Sequence, residues 1–411
     1  MSRTGLARSL AEQSVLVCAG TGGVGKTTIA AALALEAACQ GRRTLVITID
    51  PARRLADALG LEALGPEPAA VDLTGFAGDL QEREAPRGSL DAMMLDPKPT
   101  FDRLVARFTD EGETRERILG NRIYQHLTEA LAGSAEYAAM EQVHELLHAG
   151  DYDLLVVDTP PADHALDFLR APRRLREFLE SRLVRALIHP AMSASRFGAR
   201  FFGRAMQRVL GLIERIAGVG FLDDLSEFLM AIDGLSQGFR ERATKVENVL
   251  LGPDTGFILI CGPQSRAVRS GLDFLAELEG FRVPLDSVVA NRLRPWPLEI
   301  APAAFAEGCT DEAIARDRER IAAALVREDA PSTQQEPCSA DAIIDLFRSH
   351  ARVCAAQQRA IASLAHEARA RGVECLCIDE LPGDVDRLTG LAEIAGMLMA
   401  DPRDTARRLQ A

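Results

Sequence analysis

Lysine is almost absent from this sequence. Three of its 411 residues are lysine, one of them Lys26 in a glycine-rich segment, and the formal net charge is −13. Arginine supplies most of the 47 basic residues, but acidic residues outnumber them, and a protein with this negative balance is poorly suited to neutralising nucleic-acid phosphates. We therefore expect no nucleic-acid partner.

Paired metal-binding cysteines and long apolar runs are missing as well. The eight cysteines are scattered and form no C-x-x-C pair, so we expect reduced thiols without a disulfide framework, a zinc site or an iron–sulfur cluster. No apolar run approaches the length of a membrane span, and residues 1–13 lack the apolar centre of a signal peptide. These absences predict a cytoplasmic protein.

What the chain does have is a series of short apolar runs that alternate with amphipathic stretches. Continuous apolar runs are typical of parallel strands covered on both faces. Their alternation with helices predicts an α/β fold built on a doubly wound, mostly parallel sheet. The predicted strands are Ser14–Ala19, Thr44–Ile49, Asp153–Val157, Gly256–Cys261, Ser287–Ala290 and Val373–Ile378.

Two stretches break this alternation. Residues from about 100–149 and from about 171–251 read as successive helices with no strand between them. We interpret them as an all-helical subdomain inserted into a single domain that covers residues 1–411.

A phosphate-binding loop follows the first predicted strand. In the pattern G-x-x-x-x-G-K-[ST], backbone N–H groups surround phosphate oxygens, the lysine reaches the β- and γ-phosphates, and the last hydroxyl binds Mg²⁺. A helix that begins at the loop favours the same anion through its dipole. The residues assigned to nucleotide binding here are Gly20, Thr21, Gly22, Gly23, Val24, Gly25, Lys26, Thr27 and Thr28. The sequence therefore predicts a P-loop NTPase.

Two aspartates follow later strands. Asp50 is predicted to orient the water that attacks the γ-phosphate, and the alternative is a cap on a helix at residues 53–60. Asp158 ends the run Leu154–Asp158, where an acid holds Mg²⁺ through a water molecule. We thus predict Asp50 and Lys26 as catalytic residues, and Thr27 and Asp158 (the latter via water) as the magnesium site.

The nucleotide base is expected near the ends of the later strands. Asn291 follows one of them, and its amide suits the edge of adenine. A guanine site of the N-K-x-D kind needs an acid two residues further on, where Leu293 stands, so ATP is favoured over GTP. Leu381 and Pro382, after the last strand, are expected to pack against the base.

Together these motifs resemble the arsenite-pump and tail-anchored-protein-targeting ATPases. The resemblance covers nearly the whole chain in order. It implies ATP hydrolysis to ADP and phosphate with Mg²⁺, in a homodimer that closes on ATP and opens after hydrolysis. It also implies that the helical subdomain handles a hydrophobic client or a membrane partner. The segments that carry it are Gly20–Thr28, Asp50–Ala52, Leu90–Val105, Gly133–Met140, Asp158–Pro161, Asn291 and Leu381–Asp384.

The sequence departs from that family at three places. The eukaryotic targeting members clamp zinc with a C-x-x-C, and only Cys375-Leu376-Cys377 occurs here, so a zinc-stapled dimer is disfavoured. Thr21 stands where the family usually carries a second, signature lysine, so Arg53 or Arg54 would have to compensate. The thiols that bind arsenite in the pumps have no counterpart, since no cysteine occurs between Cys39 and Cys261. Arsenite-stimulated turnover is therefore disfavoured.

A client region is a further hypothesis. Residues 189–220 are rich in Phe, Met, Leu and Ile, and arginines recur there every four residues. One interpretation is an apolar groove with an arginine rim, and the favoured alternative is an ordinary amphipathic helix packed on its neighbours. The residues of the groove hypothesis are Phe197, Phe201, Met206 and Ile213.

Two other functions remain open. A partition or division-site ATPase shares the loop, but the acidic charge and the large helical insertion count against it. The second alternative is a non-catalytic interaction protein that uses ATP as a clamp. Asp50 argues against this alternative, because a clamp needs no water-orienting acid.

Overall fold

A computed structural model gives the fold of most of the chain. It describes residues 5–50, 52–74, 87–109, 112–122, 124–125, 134–159, 167–180, 236–281, 283, 285–297, 301–308, 340–385 and 387–400. The client region at Phe197, Phe201, Met206 and Ile213 lies outside the described residues.

Within these ranges the chain forms one eight-stranded sheet. The strands are β1 Val15–Gly20, β2 Arg43–Thr48, β3 Ala69–Ala70, β4 Ser89–Met94, β5 Leu154–Asp158, β6 Thr255–Cys261, β7 Leu285–Leu293 and β8 Glu374–Asp379. Their order across the sheet is β3-β4-β2-β5-β1-β6-β7-β8, and every neighbouring pair is parallel except β3 with β4. The predicted mostly parallel sheet is confirmed, and all six predicted strands are present.

Sequence reasoning missed β3 and β4. The first has only two residues, and the second, SLDAMM, carries a charged residue in its middle. That residue, Asp91, accepts a hydrogen bond from the Tyr152 hydroxyl at 2.7 Å, which makes an acid tolerable in the strand. A polar residue satisfied by a distant partner gives no local sign of a strand.

Helices cover both faces of the sheet. They are α1 Gly5–Glu12, α2 Lys26–Cys39, α3 Arg54–Leu59, α4 Pro97–Phe108, α5 Glu113–Gly120, α6 Ser134–Ala149, α7 Asp167–Glu180, α8 Ser236–Leu250, α9 Ser265–Phe281, α10 Pro302–Gly308, α11 Ala340–Ala370 and α12 Leu388–Leu398. One apolar layer joins α1, α2, α3 and α12 to side chains such as Leu16 and Val46. The opposite layer joins helices α4 through α9, and helix α11, to side chains such as Val17 and Ile47, which follow Leu16 and Val46 in their strands. The seven longer strands contribute side chains to both layers because successive side chains point to opposite faces, so the sheet is doubly wound as predicted.

The two strandless stretches are helical wherever they are described. Residues between β4 and β5 form α4, α5 and α6, and those between β5 and β6 form α7 and α8. The fully buried Glu141 of α6 accepts a hydrogen bond from Arg242 of α8 at 2.5 Å, which ties the two stretches together. Their assignment to an inserted subdomain of a single domain stays a prediction.

The described helices include none that is both long and apolar enough to cross a membrane.

Candidate functional site

The phosphate loop lies at the carboxyl end of the central strand. Strand β1 has β5 and β6 as parallel neighbours, so the ends of all three strands meet at one edge of the sheet. The chain leaves β1 at Gly20 and enters α2 at Lys26, with the loop between them. Open α/β sheets bind ligands at this edge, beyond the carboxyl ends of the strands.

Glycine is required at two points of this loop. A Cβ at Gly20 would lie 2.1 Å from the carbonyl oxygen of Ile260 on β6, which leaves no room for any side chain. Gly25 has φ 90°, a left-handed conformation, and a Cβ there would lie 2.4 Å from Nδ2 of Asn291. The glycines therefore permit both the close packing and the turn that precede α2.

Lys26 folds back across the loop. Its Nζ donates a hydrogen bond to the carbonyl oxygen of Thr21 at 3.0 Å, and the residue is only 6% exposed. Burial lowers the pKa of the ammonium group, while the nearby carboxylates of Asp158 and Asp50 act in the opposite direction. A buried cation whose hydrogen-bond partner among the described residues is a backbone carbonyl is well placed to exchange that carbonyl for a phosphate oxygen.

Asp158 is the buried acid of the site. One carboxylate oxygen, Oδ2, accepts hydrogen bonds from the hydroxyls of Thr27 at 2.8 Å and Thr48 at 2.9 Å. The other, Oδ1, is buried and has no hydrogen-bond partner among the described residues. Burial raises the pKa of this carboxyl to about 6. A hydroxyl beside a free carboxylate oxygen is the donor set that a hydrated Mg²⁺ takes, so these residues fit the predicted metal site.

Asp50 lies next to this pair and is connected to it. Its backbone N–H donates to the Thr48 hydroxyl at 3.2 Å, so one threonine links Asp50 to Asp158. The Asp50 carboxylate accepts the N–H of Ala52 at 3.0 Å and lies 4.0 Å from the guanidinium of Arg54. Helix α3 starts at Arg54 with Arg53 as its capping residue, so Asp50 does not serve as the helix cap that the alternative interpretation required.

A cavity of about 1030 Å³ opens beside the loop. It is lined by Thr28 and by three of the residues predicted to contact the base, Asn291, Leu381 and Pro382. Four acidic residues also line it: Asp57, Asp379, Glu380 and Asp384. The predicted base-binding residues thus lie together on one cavity that reaches the phosphate loop.

Asn291 makes a contact that the sequence did not suggest. Its Nδ2 donates a hydrogen bond to the carbonyl oxygen of Val24 at 2.9 Å, and the residue is buried. The amide therefore supports the loop from behind, and its predicted contact with adenine stays a prediction.

Two further residues of the site were missed. Thr48 bridges the two aspartates, but it lies inside a predicted strand where threonine is ordinary. Arg292 donates from Nη1 to the carbonyl oxygen of Gly23 at 3.2 Å. Arg53 and Arg54, expected to compensate for the threonine at position 21, instead contact the Glu62 carbonyl and Asp50 respectively. Sequence spacing carries no signal for either missed residue, because the contacts of Thr48 with Asp158 and of Arg292 with Gly23 join parts of the chain that are far apart in sequence.

This fold and this loop define an α/β protein of the P-loop NTPase class. The family model for anion-transporting ATPases of the ArsA type matches residues 13–300. The chain therefore belongs to the family of ArsA-type anion-transporting ATPases, and the resemblance found in the sequence is confirmed.

Individual relatives agree with this assignment. An uncharacterized protein of Streptomyces coelicolor is 34% identical over 286 residues, which cover 68% of this chain and 62% of the relative. The ATPase get3 of Pyrenophora tritici-repentis is 26% identical over 277 residues, 67% of this chain and 72% of its own length. The ATPase get3 of Aspergillus terreus is 27% identical over 276 residues, which cover 67% of this chain and 71% of that protein. The match thus spans less than two thirds of the first relative.

Proposed function

We propose that this protein hydrolyses ATP in the presence of Mg²⁺ and uses the reaction to drive a conformational cycle. The observation that carries the proposal is the hydrogen bond from Thr27 to the buried carboxylate of Asp158, whose second oxygen has no partner among the residues that the structure describes. Lys26 and Asp50 lie beside this pair, so a cation, a metal site and a water-orienting acid converge on one loop.

In the proposed reaction a water molecule attacks the γ-phosphorus in line, the bond to the bridging oxygen of ADP breaks, and phosphate leaves. Asp50 orients the water through its carboxylate. Lys26 exchanges the Thr21 carbonyl for phosphate oxygens, and the N–H groups of the loop stabilise the negative charge that develops. Thr27, and Asp158 through water, would hold Mg²⁺, which would supply positive charge to the phosphates.

We further propose that the protein acts in the cytoplasm as a homodimer that closes on ATP and handles a hydrophobic client or a membrane partner. Membership of the ArsA-type family supports this, as do the names of relatives that are themselves ATPases. Gly22 and Gly23 of the loop are exposed and therefore accessible to a second copy. The negative net charge of −13 supports a partner other than nucleic acid.

Phosphate release with Mg²⁺ and ATP tests the reaction. We expect turnover by the wild type, background rates for Lys26→Ala and in EDTA, and a rate lower by a factor of about 10² to 10⁴ for Asp50→Asn with ATP binding retained. Glu12→Gln, which removes an exposed acid on α1, is the matched control and should behave as wild type. Equal rates for wild type and Lys26→Ala would overturn the proposal.

The dimer and the client have separate tests. Sedimentation of Asp50→Asn should give twice the monomer mass with Mg²⁺ and ATP, and the monomer mass or a loose dimer without them. Mass spectrometry of proteins that copurify with this variant should be enriched in chains with a hydrophobic C-terminal helix. Recovery of the homodimer alone would remove the client from the proposal and leave the ATPase in place.

A further inference from the structure

Arg292 has a backbone conformation that its residue type rarely adopts. Its φ is 62°, and it is the one non-glycine residue with a positive φ in the described part of the chain. A left-handed conformation is unfavourable for a residue with a Cβ, and such strain tends to persist where the surroundings hold it for a purpose.

The strand around Arg292 carries an irregularity. Ala290 of β7 pairs with Cys377 of β8, and Leu293 pairs with Asp379. Between these two pairs β7 advances by three residues and β8 by two, so β7 contains one extra residue. Such a bulge inserts one residue and re-aims the side chains next to it. Strand β6 pairs with β7 only as far as Ala290. The bulged residues of β7 therefore extend beyond the end of β6, toward the phosphate loop.

The consequence is that two neighbouring side chains reach the same loop. In a regular strand, adjacent side chains point to opposite faces. Here Asn291 donates to the carbonyl of Val24 at 2.9 Å, and Arg292 donates to the carbonyl of Gly23 at 3.2 Å. Two consecutive carbonyl groups of the loop are thereby held by the end of β7.

We propose that Arg292 is a positioning residue for nucleotide binding, which holds the Gly23 carbonyl so that the loop presents its N–H groups to the phosphates. A loop whose carbonyls are fixed from outside is preorganised, and the ligand does not have to order it on binding. Arg292 also lines the cavity that contains Thr28 and Pro382. This inference rests on the proposed ATPase function.

Four variants and one control test the role of the guanidinium. Fluorescent mant-ADP with Mg²⁺ reports nucleotide affinity, and phosphate release reports KM and kcat. For Arg292→Ala we expect Kd and KM to rise about five-fold, as the loss of one charge-assisted hydrogen bond at a partly exposed site implies. Because Arg292 contacts the loop backbone and none of the reacting groups, kcat should change by less than about two-fold. Arg292→Lys should recover part of the affinity, Arg292→Met should not, and Arg8→Ala on α1 should behave as wild type.

Arg292→Gly separates the side chain from the backbone strain. Glycine tolerates a φ of 62°, so this variant should unfold at a higher temperature than Arg292→Ala while binding mant-ADP equally weakly. Wild-type affinity in Arg292→Gly, or in Arg292→Ala, would overturn the inference and leave the ATPase standing. Failure of the wild type itself to bind mant-ADP would overturn the proposed function and this inference with it.

Discussion

The buried carboxylate of Asp158 should make the stability of the nucleotide-free protein depend on pH. Burial raises the pKa of this group from 3.8 to about 6, and the residue has no solvent exposure. Between these values the folded state binds more protons than the unfolded state, so stability falls as pH rises through this window. The full effect corresponds to about 3 kcal/mol, and about 1.4 kcal/mol of it falls between pH 5 and pH 7.5.

Asp158→Asn removes the titration and keeps the shape. We expect the free energy of unfolding of the variant, relative to wild type, to rise by about 1.4 kcal/mol between pH 5 and pH 7.5. Urea denaturation in EDTA, followed by circular dichroism at several pH values, measures this difference. The prediction concerns only how this difference in unfolding free energy changes with pH. The cost of replacing a carboxylate oxygen by an NH₂ group is the same at every pH and cancels from that change.

A second aspartate supplies a control of opposite sign. Hydrogen bonds from Arg43 lower the pKa of Asp153, at the other end of the sheet, so its contribution to stability is lost as pH falls. Asp153→Asn should therefore lose stability relative to wild type as pH rises. A pH-independent difference for Asp158→Asn, or the same sign for both variants, would refute the reasoning about burial.

Three other substitutions have defined outcomes. Thr48→Val removes the hydroxyl between Asp50 and Asp158 and should cost about 1–3 kcal/mol of stability and slow phosphate release, whereas Thr44→Val on the same strand should not affect the rate. Gly25→Ala places a Cβ 2.4 Å from Asn291 and should abolish mant-ADP binding, as a direct titration would show. Gly280→Ala, on helix α9 with no described atom within 4 Å of the new Cβ, should stabilise the protein by about 0.5–1 kcal/mol in urea and leave binding unchanged.

Local sequence was sufficient wherever one segment performs the task alone. The loop from Gly20 to Thr28 combines a strand end, two required glycines and a helix start, all within nine residues, and the structure has each of these. The six strongly apolar strands were recognisable because burial on both faces demands unbroken apolar runs. The short strand β4 was not, since its central Asp91 is satisfied by a tyrosine 61 residues away.

The remaining features depended on which strands lie side by side. The order β2-β5-β1 brings Thr48, Asp158 and Thr27 into contact, although 110 residues separate the first two along the chain. The bulge in β7 turned Arg292 toward the loop and gave the Asn291 amide a carbonyl partner. Sequence by itself determined the fold class and the phosphate loop, because these follow from local periodicity and spacing, and it indicated the family through a resemblance of motifs. Only the tertiary structure decided the partners of the loop, because hydrogen bonds between strands follow from sheet order and register, which no local pattern contains.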